Sequence, residues 1–357
     1  MVYVMREGRT LTSIESKALF ELVSNQKDSD KAIAEKMGMA PSNFAVVKKR
    51  LQEKGMLLEH IRINPHRIPE VKVAAFVWIE YNKPIRGKFE KELAEVRRSF
   101  PHAYTHGSPD WSLNVSYYPS FEAAENARLR MADKLFTSDA FQPLISNHMW
   151  KILPISHMAI CDFKTRFIAQ ATGHELKEDT KALFQRCQYP VVDQLARLND
   201  TEKRVLIALR KYPEMKKKEI AERVGLQQSS LSEVFKTLQK KGVISYIRTI
   251  EPRLLPGSEV ATFTWIDMRR PVIGDLQKCV EEIAERIPEM YHIHYTRTFM
   301  LIESLFTSLD KAESANTTLL DILGENVKTL NFKTVPCVHL TTSHHAYFLE
   351  QIFGMSV

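Results

Sequence analysis

The feature that most constrains this chain is an internal repeat at a constant offset. Residues 32–57 align without a gap onto residues 219–244. Ile33-Ala34-Glu35 answers to Ile220-Ala221-Glu222, Gly38 to Gly225, Ser42 to Ser229, Leu51-Gln52 to Leu238-Gln239 and Lys54-Gly55 to Lys241-Gly242. The offset of 187 residues also carries Phe76, Trp78, Ile79 and Pro84 onto Phe263, Trp265, Ile266 and Pro271, and Pro101 and Tyr104 onto Pro288 and Tyr291. Spacing kept over such a distance implies one two-part unit present twice, so the question becomes what that unit does in duplicate.

Composition narrows the class. The 44% apolar and 26% charged content suits an ordinary soluble protein. No apolar run approaches the roughly 20 residues needed to span a bilayer. Met1 to Arg9 has no apolar core, which argues against export. Cys161, Cys187, Cys279 and Cys337 lie far apart, against a zinc ribbon or a disulfide scaffold and in keeping with a reducing cytoplasm. The net charge of +7 leaves two readings open, a slightly basic enzyme or a protein with a polyanionic partner. Where the charges sit decides between them.

The first part of each unit reads as helices. Ile14, Ala18, Leu19 and Leu22 form a helical stripe over 13–24. Ser29 or Asp30 can cap a second helix, Gly38 suits the tight turn after it, and Pro41 opens a third helix running to about Lys54. Gly55 ends that helix, and the segment from Met56 is expected to extend and return through Ile61 and Ile63 as a wing. The second copy repeats these steps over 201–211, 217–224, 229–241 and 243–250. This is the pattern of a winged helix-turn-helix, whose third helix can enter the major groove. The first copy's third helix carries Ser42, Asn43, Lys48, Lys49, Arg50 and Lys54; the second carries Gln228, Ser229, Ser230, Lys236, Lys240 and Lys241. Amides and hydroxyls there can read base edges, while cations neutralise phosphates. A merely solvated helix face is the other reading of the same lysines.

After Pro65 the period changes. Strands are expected over 71–81, 101–106, 111–117 and 149–155, with helices over 88–99 and 121–136. The order β-α-β-β-α-β is that of a ferredoxin-like fold. Copy two follows at 260–267, 276–287, 291–295, 299–306, 309–323 and 327–335. The expected class is therefore α+β. Winged helix-turn-helix domains occupy 1–68 and 199–256, ferredoxin-like domains 69–157 and 257–345, a connector 158–198 and a tail 346–357.

With these segments in hand, the chain resembles the Lrp/AsnC (feast/famine) transcriptional regulators. The segment from Gly38-Met39-Ala40-Pro41-Ser42 to Gly55, the hinge Ile63-Asn64-Pro65-His66 and the turn Gly107-Ser108-Pro109-Asp110-Trp111 carry the likeness. The resemblance implies a sequence-specific, non-enzymatic regulator that binds double-stranded DNA. It also implies a small-molecule effector, amino-acid-like, at Gly107, Ser108 and Asp110. Members ordinarily carry one unit per chain and pair; here one chain could supply the pair, alone or within a further homodimer. The second copy has Thr296-Arg297-Thr298-Phe299 in place of the glycine turn, so its pocket is expected to be lost.

Two alternatives stay open. The sirohaem decarboxylases resemble the same two-part architecture, and His102-Ala103-Tyr104 is similar to their His-x-Tyr strand; the Thr105-His106-Gly107 that follows departs from their pattern. An effector-free architectural DNA-binding protein is the other. Histidines also gather at 102 and 106, at 292 and 294, and at 339, 344 and 345. His292 and His294 would share a strand face suited to a metal or tetrapyrrole, but no cysteine or carboxylate is spaced beside them, and polar strand residues are the expected reading. No cofactor, metal or catalytic residue is assigned. Trp78 and Trp265 read as core or interface anchors.

Overall fold

Each half opens with helices whose beginnings are written into short polar motifs. The computed structural model describes residues 10–26, 28–82, 91, 93, 95, 100, 102–136, 141–174, 197–213, 215–251, 254–255, 257–272, 275–344 and 347–357. Helix α1 (Ser13–Ser24) starts on a capping box in which Thr12 and Glu15 satisfy each other's backbone amides. Helix α2 (Asp30–Lys36) is capped by Ser29. Gly38, at φ 68°, turns the chain where a side chain would be strained. Helix α3 (Pro41–Glu53) then buries Phe44, Val47 and Leu51.

Strand β1 (Leu57–Ile63) is one unbroken strand. The expected return of the chain at Ile61 does not occur, because Leu-Leu-Glu-His-Ile-Arg-Ile offers no glycine, proline, asparagine or aspartate to turn on. Its partner comes from the other half. The chain continues through β2 (Val73–Tyr81), β3 (His102–Ser108), β4 (Trp111–Tyr118), α4 (Phe121–Phe136), β5 (Ile145–Pro154), β6 (Ala159–Asp162) and α5 (Lys164–Thr172). The order then recurs: α6 (Asp200–Lys211), α7 (Lys217–Arg223), α8 (Gln228–Lys240), β7 (Ile244–Ile250), β8 (Val260–Met268), α9 (Leu276–Arg286), β9 (Met290–Tyr295), β10 (Phe299–Phe306), α10 (Leu309–Leu323), β11 (Val327–Pro336), β12 (Thr341–His344) and α11 (Tyr347–Phe353). The helix expected over 88–99 lies largely outside the described residues, as do residues 175–196 of the expected connector.

Strands β1 and β7 pair antiparallel, with Leu57 opposite Ile250, His60 opposite Ile247 and Ile63 opposite Ile244. The ladder is centred on positions that correspond in the two halves. The larger sheets run β5-β2-β4-β3 and β11-β8-β10-β9, the ferredoxin-like order, so the chain is an α+β protein. Each sheet gains a fifth strand from across the chain: β12 adds to β3, and β6 adds to β9. The stretch expected to be connector from residue 158 thus begins as a sheet strand, and the tail holds a helix whose Phe348, Leu349 and Ile352 are buried.

Period-2 alternation divides the core. Ala74, Phe76 and Trp78 of β2 meet Ala261, Phe263 and Trp265 of β8 in the seam between the two sheets. Val73, Ala75 and Val77 point the other way, onto Ala124, Ala127 and Met131 of α4. Trp78 and Trp265 stand 6.3 Å apart edge to face, fully buried as seam anchors. Burying each indole contributes roughly 5 kcal/mol at 25 cal/mol per Å². Cys161 is disulfide-bonded, against the expectation drawn from cysteine spacing, while Cys279 and Cys337 form no disulfide.

Candidate nucleic-acid interface

The cations of α3 and α8 divide into two sets. Lys54 puts its Nζ 2.7 Å from both carboxylate oxygens of Glu15, the capping residue of α1. Lys241 does the same to Glu202, at 2.6 and 2.8 Å, where Asn199 and Glu202 form the capping box of α6. Burial pushes the Glu15 carboxyl up, but the hydrogen bonds from Lys54 and Thr12 outweigh it and hold the group below the ordinary range. These lysines brace the end of each third helix to the start of each first helix. Lys48 lies 2.8 Å from Asp30 and 2.8 Å from Glu59 with its side chain only 15% exposed. Lys48, Lys54 and Lys241 are therefore engaged by carboxylates within the fold.

The second set faces solvent. Lys49 is 75% exposed, with Glu53 at 3.7 Å, and Lys236 is 71% exposed beside Glu233. Such exposed pairs are worth little and yield readily to a phosphate. Arg50 and Lys240 are exposed, as are Ser42 and Asn43 at the start of α3 and Gln228, Ser229 and Ser230 at the start of α8. The apolar faces of both helices are turned into the core by Phe44, Val47 and Leu51 and by Leu231, Phe235 and Leu238. Val46, 50% exposed on the outer face of α3, was passed over in the sequence. So was the run Lys216-Lys217-Lys218 at the start of α7, all exposed. Its signal was plain: three consecutive cations where the first half has Ser29-Asp30-Lys31.

The β1–β7 ladder fixes one helix-turn-helix against the other. Arg248 of β7, nearly buried, donates from Nη1 to the Asp28 carbonyl at 2.9 Å, from Nη2 to Asp30 at 2.7 Å and from Nε to Glu59 at 3.2 Å. Gln26 of the first half accepts from the Arg248 backbone amide at 2.6 Å.

The effector residues lie elsewhere, at the far end of β3. Gly107 is a strand residue, not a turn residue: a Cβ there would meet the Trp111 carbonyl oxygen at 3.3 Å, and Thr341 pairs with it from β12. The turn itself is Pro109–Asp110. Asp110 accepts from Ser108 at 2.6 Å and from Lys333 of the other half at 2.6 Å. Burial pushes its carboxyl up, and the Lys333 and Ser108 hydrogen bonds bring it below the ordinary value. The Asp110 carboxylate expected to meet an amino-acid-like effector thus already holds a lysine. His102 sits 2.6 Å from Ser116, inside the first sheet's own packing, and His339 is exposed.

A family model for a winged helix-turn-helix DNA-binding domain matches residues 198–245. The span covers α6, α7 and α8 and the first residues of β7. No match was found among curated protein sequences. Among solved structures the chain is similar to the siroheme decarboxylase NirDL, at 11% identity over 95% of this chain and 97% of that one, TM-score 0.49. It is also similar to AsnC of E. coli, at 15% identity over 39% and 93%, TM-score 0.31. An AsnC family transcriptional regulator from Agrobacterium tumefaciens matches at 13% identity over 39% and 90%, TM-score 0.30. Likeness at this level says nothing about what the chain does. Among the described residues, no helix is long and apolar enough to cross a membrane.

Proposed function

We propose that this chain is a sequence-specific DNA-binding transcriptional regulator of the Lrp/AsnC type, without enzymatic activity, acting in the cytoplasm. Its two winged helix-turn-helix units form a pseudo-dimer within one chain. The observation that carries the reading is the sorting of charge on α3 and α8. Cations not needed to brace the fold stand on the exposed face, next to exposed hydroxyls and amides at each helix start. Lys49, Arg50, Lys236 and Lys240 neutralise phosphates, with Lys216, Lys217 and Lys218 adding to the second unit. Ser42, Asn43, Gln228, Ser229 and Ser230 read base edges, and Val46 meets a thymine methyl. The β1–β7 ladder and the exchanged strands β6 and β12 support the pseudo-dimer, since both tie one half to the other. Because the two reading helices differ in sequence, the operator is an imperfect palindrome. A small effector at Asp110 would have to displace Lys333.

The test is binding of the full chain to duplex DNA from its own upstream region over a salt series. Lys49→Ala with Lys236→Ala should lower the slope of log K against log salt by about 1.8, roughly 0.9 per lost phosphate contact. Asn43→Ala or Gln228→Ala should relax sequence preference by about 1–3 kcal/mol per lost base contact. Lys54→Ala should reduce stability and leave the slope unchanged. An unaltered slope in the double variant, or purified protein carrying a tetrapyrrole absorption band and no DNA affinity, would overturn the assignment.

A further inference from the structure

The sheet seam holds a polar cluster that the DNA-binding reading does not use. His292 and His294 alternate along β9, so both imidazoles project from one face. Glu303 of β10 stands directly opposite His292 in the ladder. The carboxylate absent from local sequence spacing is thus supplied by strand register. Ligating atoms of His292, His294 and Glu303 all lie within 4.8 Å of one another. Across the seam, β3 of the first half brings Tyr104 and His106 to the same place.

The orphaned atoms point inward. Glu303 is 2% exposed; its Oε2 accepts from Tyr291 at 2.8 Å, while its Oε1 has no hydrogen-bond partner. His294 is 1% exposed; its Nε2 lies 2.7 Å from the Tyr104 hydroxyl, and its Nδ1 has no partner. Toward Glu303 Oε1 come His292 Nδ1 at 3.4 Å and His106 Nε2 at 3.7 Å. These separations are long for hydrogen bonds. They are close to the spacing of donors that share an ion: two ligands about 2.0–2.1 Å from one tetrahedral metal sit about 3.3–3.4 Å apart. Both ion-pair partners of Glu303 are histidines.

We infer that the seam binds one divalent first-row transition-metal ion through His292, His294 and Glu303, with His106 of the other half as fourth ligand. Imidazole and carboxylate donors without a thiolate select the zinc, cobalt and iron class over magnesium or calcium. Tyr104 and Tyr291 hold His294 and Glu303 from behind, as supporting groups of metal ligands do. With ligands from both halves, the ion would lock one sheet to the other.

The experiment uses the full chain, freed of any purification tag, stripped with a chelator and titrated with Co²⁺ in the absence of DNA. Binding of one Co²⁺ per chain is expected, with the visible absorption of four-coordinate cobalt, displaced by Zn²⁺. Glu303→Gln, which keeps the side chain's size, should weaken binding at least about tenfold. His106→Gln should abolish the four-coordinate spectrum. Failure of the wild type to bind Co²⁺ stoichiometrically overturns the inference whatever the variants do. So does unchanged affinity in a variant whose circular dichroism is that of the wild type. Because no DNA is present, the result stands apart from the regulator reading.

Discussion

Arg248 offers the sharpest test of how the two halves are held in register. It is a β7 residue that spends all its described side-chain hydrogen bonds on the first half: Asp28, Asp30 and Glu59. Lys48 contacts the same two carboxylates, so two cations balance two anions. Arg248→Met keeps the apolar stem and deletes the guanidinium. Asp30 and Glu59 are then left sharing Lys48 alone. Removing one member of a buried ion pair costs about 3–5 kcal/mol. Glu59 is 14% exposed but keeps Lys48 and a hydrogen bond from Gln52, so its loss falls below that range; Asp30 is 46% exposed, and water can replace what it loses. The expected cost is about 2–3 kcal/mol.

A chain of this size need not unfold in one step, so a local readout is preferable. Hydrogen exchange of residues 57–63 and 244–250 reports opening of the ladder itself. A loss of 2–3 kcal/mol corresponds to about 30- to 150-fold faster exchange there, at 1.36 kcal/mol per decade. The amides of α10, on the far side of the second sheet, should be unaffected. Glu59→Gln combined with Arg248→Met should show non-additivity of at least about 0.5 kcal/mol, since the pair is in contact. Exchange altered less than about threefold, or strict additivity, would refute the idea that this network fixes the ladder.

Further outcomes follow from individual residues. Burial, with a smaller contribution from Arg67, lowers the His66 pKa from 6.5 to about 4, against an opposing contact with the Ile155 backbone. The unfolded chain binds a proton there that the folded one refuses, so this stability is present above about pH 6.5 and drains as pH falls toward 4, by up to roughly 3 kcal/mol. Chemical-denaturation midpoints at pH 7.5 and 5 should differ less in His66→Leu than in the wild type; an equal difference would clear His66 of the role. Gly225 has φ 72° and open space where a Cβ would stand, so Gly225→Ala should cost only the backbone strain, about 1 kcal/mol. A thermal melt showing no loss, or a loss several times larger, would contradict that.

What the sequence made legible was local. The bounds of α4, β10 and α10 match the periodicity because polar or turn residues such as Pro119-Ser120 and Thr307-Ser308 flank long regular stripes. What stayed hidden was pairing between distant residues. Nothing within Leu57–Ile63 announces that its partner lies at Ile244–Ile250, although the lack of a turn residue excluded a hairpin. The capping boxes at Thr12–Glu15 and Asn199–Glu202 were visible as spacing, but their use as anchors for Lys54 and Lys241 was not. The same limit separated His292 from Glu303, which are neighbours only once β9 and β10 are in register.

The two halves can be read against each other. Positions that brace the scaffold carry the same residue in both: Glu15 and Glu202, Lys54 and Lys241, Gly38 and Gly225, Trp78 and Trp265. Each solves the same packing or capping problem, and the problem does not change between halves. Where the residues differ, the surroundings differ in kind. The ladder pair Glu59–Arg248 is ionic, while its counterpart across the centre, Ile61–Tyr246, is not. Asp30, paired with Lys48 and Arg248, stands where α7 has Lys217 on an open helix start. Val115 on β4 occupies the place that Glu303 takes on β10, so only one side of the seam carries the acid. Packing alone would have filled both places alike with apolar residues, because a lone buried carboxylate is costly. The asymmetry therefore marks where the chain departs from a merely stable pair of units: one helix-turn-helix has the start of its second helix held by ion pairs, the other keeps cations exposed at that place, and one sheet face holds an acid with histidines beside it.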